Sequence, residues 1–168
     1  LNRDLRVSAM QASITGTVAA DNTITLPSDC RHVQSLRINV GGVFQELHPL
    51  PPERLADTIV SAYPVGYVTV GRVATLIGGN GTPDFALTYF QAIPALSDDA
   101  PINWLLQREP GLYLYAATLE AAAWIRDGDI AEVATRQYQS LMEGVIAEDV
   151  GMRYGNAPAI GNPIRNAP

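Results

Sequence analysis

The sequence predicts an α+β fold: an antiparallel β subdomain inserted between an N-terminal helix and a C-terminal helical hairpin, with an extended C-terminal arm. Three observations carry that expectation. Apolar residues recur at every second position in runs from about Gln11 to Ala92, separated by turn residues. From about Pro110 to Val150 the period becomes helical, broken only at Asp127-Gly128. Gly151 to Pro168 has no periodic face. The organisation implied is the end of a helix at 1–10, a mainly β subdomain at 11–92 with a short helix near 52–61, a helical hairpin region at 93–150, and an arm at 151–168.

At the start, Leu1, Leu5 and Ala9 share one face of a helix, and Arg3, Asp4 and Arg6 turn away from it. Ala12 to Val18 then alternates as a half-buried strand does. Asp21-Asn22 marks a turn, Thr23 to Leu26 returns, and Leu26-Pro27-Ser28-Asp29 breaks the pattern. Val33 to Val40 alternates again, Gly41-Gly42 makes a tight hairpin turn, and Val43 to Leu47 comes back. Pro51-Pro52-Glu53 opens a short helix to about Ser61, since proline is tolerated in a first helical turn. Gly66 to Val70 and Arg72 to Ile77 form a hairpin about Gly71. Gly78-Gly79-Asn80-Gly81 reads as another hairpin turn before a last strand, Phe85 to Ala92. Such short connections predict one small antiparallel sheet.

Trp104 to Gln107 is one helical turn, and Pro110 sits early in the next helix. That helix is apolar almost all round. Leu112, Tyr115, Ala116, Leu119, Ala122 and Ala123 fit one face, while Tyr113, Leu114, Ala117, Ala121 and Trp124 take the other. A surface helix shows one apolar stripe and one wet face, so this one needs cover from its own domain or from another subunit. A membrane span is the weaker reading, because a span needs about 17–25 apolar residues and Glu120 stands in the middle. Gly128 suits a left-handed helix end, and Asp129-Ile130-Ala131-Glu132 resembles a capping box for a helix running to about Val150. The short link makes the pair an antiparallel hairpin.

With 168 residues, one domain with arms is the natural expectation. The net charge is -6, and all 11 basic residues are arginine. An acidic chain without a basic run is a poor candidate for tight duplex binding, which requires phosphate neutralisation. The same charge suits a wall that DNA slides past. Arginine suits fixed carboxylate pairing, although GC-rich coding explains the absence of lysine equally well. A single cysteine, Cys30, excludes an internal disulfide and a cysteine-rich metal site. No basic-then-apolar start reads as a signal peptide.

Chemistry-bearing residues have plainer explanations. Ser28, Asp29, Cys30 and His32 lie together, and a Cys–His pair can generate a thiolate. No glycine elbow or oxyanion motif accompanies them, and a turn accounts for Pro27-Ser28-Asp29. The Gly78–Gly81 run lacks the Lys-Ser/Thr of a phosphate loop. Asp98 and Asp99 could contribute to a cation site, but turn duty before Pro101 fits them better. Glu120, in an apolar setting, calls for a partner such as Arg126 or Arg136. Trp104, Tyr113, Tyr115 and Trp124 could stack on bases, yet at helical spacing they read as core. No catalytic residue, metal ligand or cofactor site is expected.

The blocks Ile93-Pro94-Ala95-Leu96-Ser97-Asp98, Asn103-Trp104-Leu105-Leu106, Pro110-Gly111-Leu112-Tyr113-Leu114-Tyr115-Ala116 and Leu119-Glu120-Ala121-Ala122 resemble, in order and spacing, the head–tail adaptor (connector) proteins of tailed bacteriophages. The likeness is densest over Ile93 to Ala123 and looser from Leu1 to about Met142. It implies a structural virion protein of the neck, assembled in the host cytoplasm. It also implies a twelve-fold homo-oligomeric ring between the portal protein and a tail or stopper protein. Such a ring lines the DNA passage without sequence-specific binding and without a membrane. Leu112, Tyr115, Leu119, Trp124, Tyr154, Ile160 and Ile164 are the expected subunit or portal contacts. The competing reading is a small hydrolase or carbohydrate-binding β module using the aromatic residues or the Ser28–His32 cluster.

Overall fold

A computed structural model describes residues 5–56, 59, 61–79 and 81–155. They fall into two compact units: Ala9–Ala92 form one, and the residues up to Ser8 and from Ile93 onward form the other.

The Ala9–Ala92 unit has seven strands among the described residues: β1 (Gln11–Thr17), β2 (Thr23–Thr25), β3 (Cys30–Val40), β4 (Val43–Leu47), β5 (Pro64–Val70), β6 (Val73–Gly78) and β7 (Asp84–Gln91). They make two antiparallel sheets, in the orders β1-β7-β3-β4 and β2-β6-β5. The expectation of a single sheet is thereby corrected. Alternation tells which side of a strand is buried but not which strand lies beside it. Thr23–Thr25 accordingly pairs with β6 instead of returning along β1. The Gly78–Gly81 loop, expected as a hairpin turn, carries the chain from one sheet to the other.

Both sheets contribute to one core. Val18, Leu36, Ile38, Leu47, Phe85, Leu87 and Tyr89 come from the four-stranded side, and Ile24, Tyr67, Ala74 and Leu76 from the other. Each fully buried Leu or Ile stabilises the fold by about 1.5–3 kcal/mol. The turn at Gly41 and Gly42 has φ of 62° and 90°, as a tight hairpin between right-twisted strands requires. Asn39 braces it by accepting the Gly42 N–H at 2.9 Å. Of the helix expected over 52–61, the described residues form a 3-10 turn at Pro52–Ala56, and none of the turn's residues is buried.

Among the described residues of the second unit, the expected N-terminal helix is not found. Leu5–Val7 is irregular, Ser8–Met10 at the boundary is a single 3-10 turn, and α-helix begins only at Trp104. Leu5 and Val7 are both fully buried. A helix would place two such neighbours about 200° apart, whereas an extended segment turns both the same way.

Helix α1 (Trp104–Arg108) begins at Asn103, whose Oδ1 accepts the Leu106 N–H at 2.9 Å. Helix α2 (Pro110–Ile125) starts with proline at its first position. It ends on Arg126 in the left-handed conformation, φ 59°, so Gly128 is not the terminating residue. Helix α3 (Gly128–Tyr154) starts from Asp127, whose carboxylate accepts the Ile130 N–H at 3.0 Å. The cap thus lies two residues before the expected Asp129. A Cβ on Gly111 would stand 2.8 Å from Leu141 Cδ1, so glycine there lets α2 and α3 approach closely.

At 1.5 Å per residue α2 is about 24 Å long and α3 about 40 Å, so the far end of α3 runs on past α2. Two contacts fasten that overhang. Arg108 Nη2 lies 2.7 Å from Glu148, although off the hydrogen-bonding direction. Asp149, only 3% exposed, accepts the Ser8 N–H at 2.8 Å and the Ser8 hydroxyl, and pairs with Arg153 at 2.8 Å. Burial alone would raise the Asp149 pKa, but the Ser8 donors, then Arg153 and Arg108, outweigh it and hold the carboxyl below its ordinary 3.8. The unfolded chain therefore takes up this proton first as pH falls. The clasp's stabilisation is complete above the ordinary value and is lost as pH drops through the folded one. Asp149→Ala is expected to cost about 2 kcal/mol at pH 7, measured by denaturant unfolding. The gap to the parent protein should narrow towards pH 3, and a gap independent of pH would contradict this assignment.

Candidate interaction surface on the helical hairpin

Helix α2 is apolar nearly all round, yet only Leu112 and Ala122 are buried. The cause is geometric: α3 covers one stripe of α2, α1 and Asn103 touch its first turns, and Leu114, Trp124 and Ile125 stay outside both. Leu114 is 62% exposed, Ile125 53% and Trp124 86%. Helix α3 has the same excess. Ala134, Met142, Val145 and Asp149 form its buried stripe, while Ile130, Val133 and Ile146 stay partly exposed. Between the two helices lies a cavity of about 320 Å³ lined by Tyr115, Thr118, Asp129, Ile130, Val133 and Ala134. Contiguous exposed apolar surface of this kind marks sites of protein association.

The residues expected to make contacts are placed unevenly on this surface. Leu112 is fully buried inside the chain, Tyr115 and Leu119 are half-buried, and Trp124 and Tyr154 are exposed. Ile160 and Ile164 lie outside the described residues. Helix α3 continues through Tyr154, so Gly151 to Tyr154 are helical. Glu120 is exposed and needs no buried partner. Arg136 is spent on its own helix, 3.4 Å from Glu132.

The Ser28–His32 cluster of the β unit carries no activated thiol. Burial, then the neighbouring Asp29 charge, pushes the Cys30 thiol pKa up, which is the opposite of thiolate activation. His32 stacks on Phe90 with ring centroids 6.5 Å apart. His32 and His48 do line one cavity of about 410 Å³, together with Glu46 and Tyr67. The Tyr67 phenol there is also pushed up, by burial and by Glu46, so it is no ready nucleophile. Asp98 and Asp99 sit in a tight turn closed by Ser97 and Ala100, which exchange backbone hydrogen bonds at 3.0 and 3.1 Å. Among the described residues no three His, Cys, Asp or Glu side chains come together as cation ligands, and no helix is long and apolar enough to cross a membrane.

Two polar residues position this surface in roles that the sequence expectations do not give them. Buried Asn103 donates from Nδ2 to the Pro94 carbonyl at 2.7 Å and to the Tyr113 hydroxyl at 2.8 Å, while capping α1. It thereby ties the segment leading into the helices to the first turn of α2. Asp149 is the second. Its place on the Met142–Val145 stripe is the legible sign: a carboxylate at a core position needs a buried partner.

No curated protein matches the chain. The family model described as SU10 adaptor protein matches residues 1–161, which takes in both units and all of the hairpin. A match over nearly the whole length, on a chain whose helices leave so much apolar surface uncovered, places this protein in the SU10 adaptor protein family, a family of phage head–tail adaptors.

Proposed function

We propose that the protein acts by association alone, as a twelve-fold ring in the virion neck between the portal and a tail or stopper protein, with the DNA passage through its centre. The observation that carries this reading is the exposure of Trp124, Leu114 and Ile125 on a helix with hardly a polar side. Burying a Trp or Leu side chain is worth about 1.5–3 kcal/mol. A few such residues on each of many subunits supply a firm assembly without any covalent step. The -6 charge suits a conduit that duplex DNA passes without adhering. Residues 156–168, with Ile160, Ile164 and Arg165, serve as the arm that grips the portal or a neighbour.

Trp124→Glu separates assembly from folding. Because the side chain is so exposed, the variant should unfold within about 0.5 kcal/mol of the parent. It should fail to join portal-containing heads that lack the adaptor, scored by co-sedimentation. Normal joining would remove Trp124 from the interface. Deleting residues 156–168 should leave the melting temperature unchanged and reduce stable attachment to the same heads at least tenfold. Undiminished attachment would show that the arm grips nothing.

A further inference from the structure

The groove between α2 and α3 is apolar but for one charge. Tyr115 and Thr118 line it from α2, and Asp129, Ile130, Val133 and Ala134 line it from the first turns of α3. The Thr118 hydroxyl is spent on the Leu114 carbonyl, at 2.9 Å. Ile130 and Val133 stay 43% and 52% exposed, so the aliphatic wall is open to an incoming segment. Asp129 is exposed, and it pairs with none of the described arginines. A segment that fits therefore offers an aliphatic side chain to the wall and a cation to the carboxylate at its rim.

The chain itself carries such a segment. Residues 156–168 read NAPAIGNPIRNAP. Their large apolar residues are Ile160 and Ile164, and their single charged side chain is Arg165, directly after Ile164. Ile164-Arg165 thus answers Asp129-Ile130 in kind, apolar to apolar and cation to carboxylate.

Length decides whose arm can reach. From Gly155 back along α3 to the groove residues Ala134 to Asp129 is about 32–39 Å, at 1.5 Å per helical residue. The chain from Gly155 to Ile164 spans at most about 30–32 Å even when fully extended. With Pro158 and Pro163 in it, an advance of about 3.1 Å per residue gives only about 28 Å. Ile164 falls short of the groove on its own chain, and Ile160 falls further short. On another copy the separation is no longer tied to the length of α3. Each copy has one groove and one arm, so the contact is head-to-tail and repeats until a ring closes.

We propose that the arm of one copy lies in the α2–α3 groove of the next, with Ile164 against Ile130 and Val133 and with Arg165 beside Asp129. This rests on the reading that copies of the chain assemble as a ring, and it assigns the arm to a neighbour and not to the portal. The test uses disulfide trapping in full-length protein carrying Cys30→Ser. Ile164→Cys is combined with Val133→Cys or, as a second groove position, with Ile130→Cys. Glu132→Cys with Ile164→Cys is the control, because Glu132 is 71% exposed on α3 and does not line the groove. Mild oxidation of assembled particles should give, from at least one groove variant, a reducible ladder of linked chains extending beyond the dimer. That ladder should be at least tenfold stronger than any from the control. Co-assembly of the Val133→Cys and Ile164→Cys single variants should give linked dimers of unlike chains.

Normal assembly with no ladder from either groove variant would overturn the arm contact and leave the ring reading standing. Links closed within one chain, or a control as strong as the groove variants, would overturn it too. A product that stops at the dimer would mean that two copies exchange arms, against the head-to-tail repeat. Cross-links from Ile164→Cys only to another virion protein would give the arm to that partner instead. Failure of the unmodified chain to associate with itself, free or on heads, would sink both proposals.

Discussion

Two antiparallel helices can cover only the stripe along which they touch, and that limit governs the helical half of this protein. Helix α2 contributes just Leu112 and Ala122 to the interior despite carrying apolar residues on nearly every side. A longer partner helix would not change this, because contact width is set by helix diameter and not by length. The surplus that remains, with Trp124 at its extreme, is surface that water opposes and another protein can use. Membership of a head–tail adaptor family fits a molecule built in this way.

The polar residues at the edges of the helical unit keep that surface in place. Asn103 satisfies three partners at once, which allows an amide to be buried at no net cost in hydrogen bonding. Asp149 does the same for the end of α3 that reaches beyond α2. A carboxylate buried with Ser8 and Arg153 adds less to stability than a hydrocarbon of the same size would. It does hold Ser8 to the end of α3 through both its N–H and its hydroxyl. The apolar stripe of α3 thus changes character along its length, from packing against α2 to a directional clasp.

Much of this architecture is legible in the residues themselves. The Gly41-Gly42 hairpin, the strand alternations and the two long helices follow from local rules that a reader can apply position by position. What fails is what local rules do not encode. Alternation at Thr23–Thr25 marks a strand but is silent about its partner, so two sheets read as one. Leu1, Leu5 and Ala9 match a helical face by spacing, yet Leu5 and Val7 are buried together, and a two-residue pattern so short is easily masked by a four-residue one. Gly128 invites assignment as a helix end, while Arg126 takes the left-handed conformation despite the steric cost to a side chain. On the contact surface, helical spacing puts Leu112 and Trp124 on different faces but does not say which face the chain keeps for itself and which it exposes.

The claim that the hairpin's exposed apolar side is covered by other subunits can be tested on one residue directly. With Trp104→Phe, Trp124 is the sole tryptophan, and its fluorescence reports its own surroundings. In the unassembled chain it should emit at the long wavelength of a hydrated indole and be freely quenched by iodide. On assembly onto portal-containing heads the emission should move to shorter wavelength and the quenching should fall severalfold. Unchanged emission and quenching in fully assembled particles would mean that Trp124 stays in water, and that this face of the hairpin is not where the adaptor holds together.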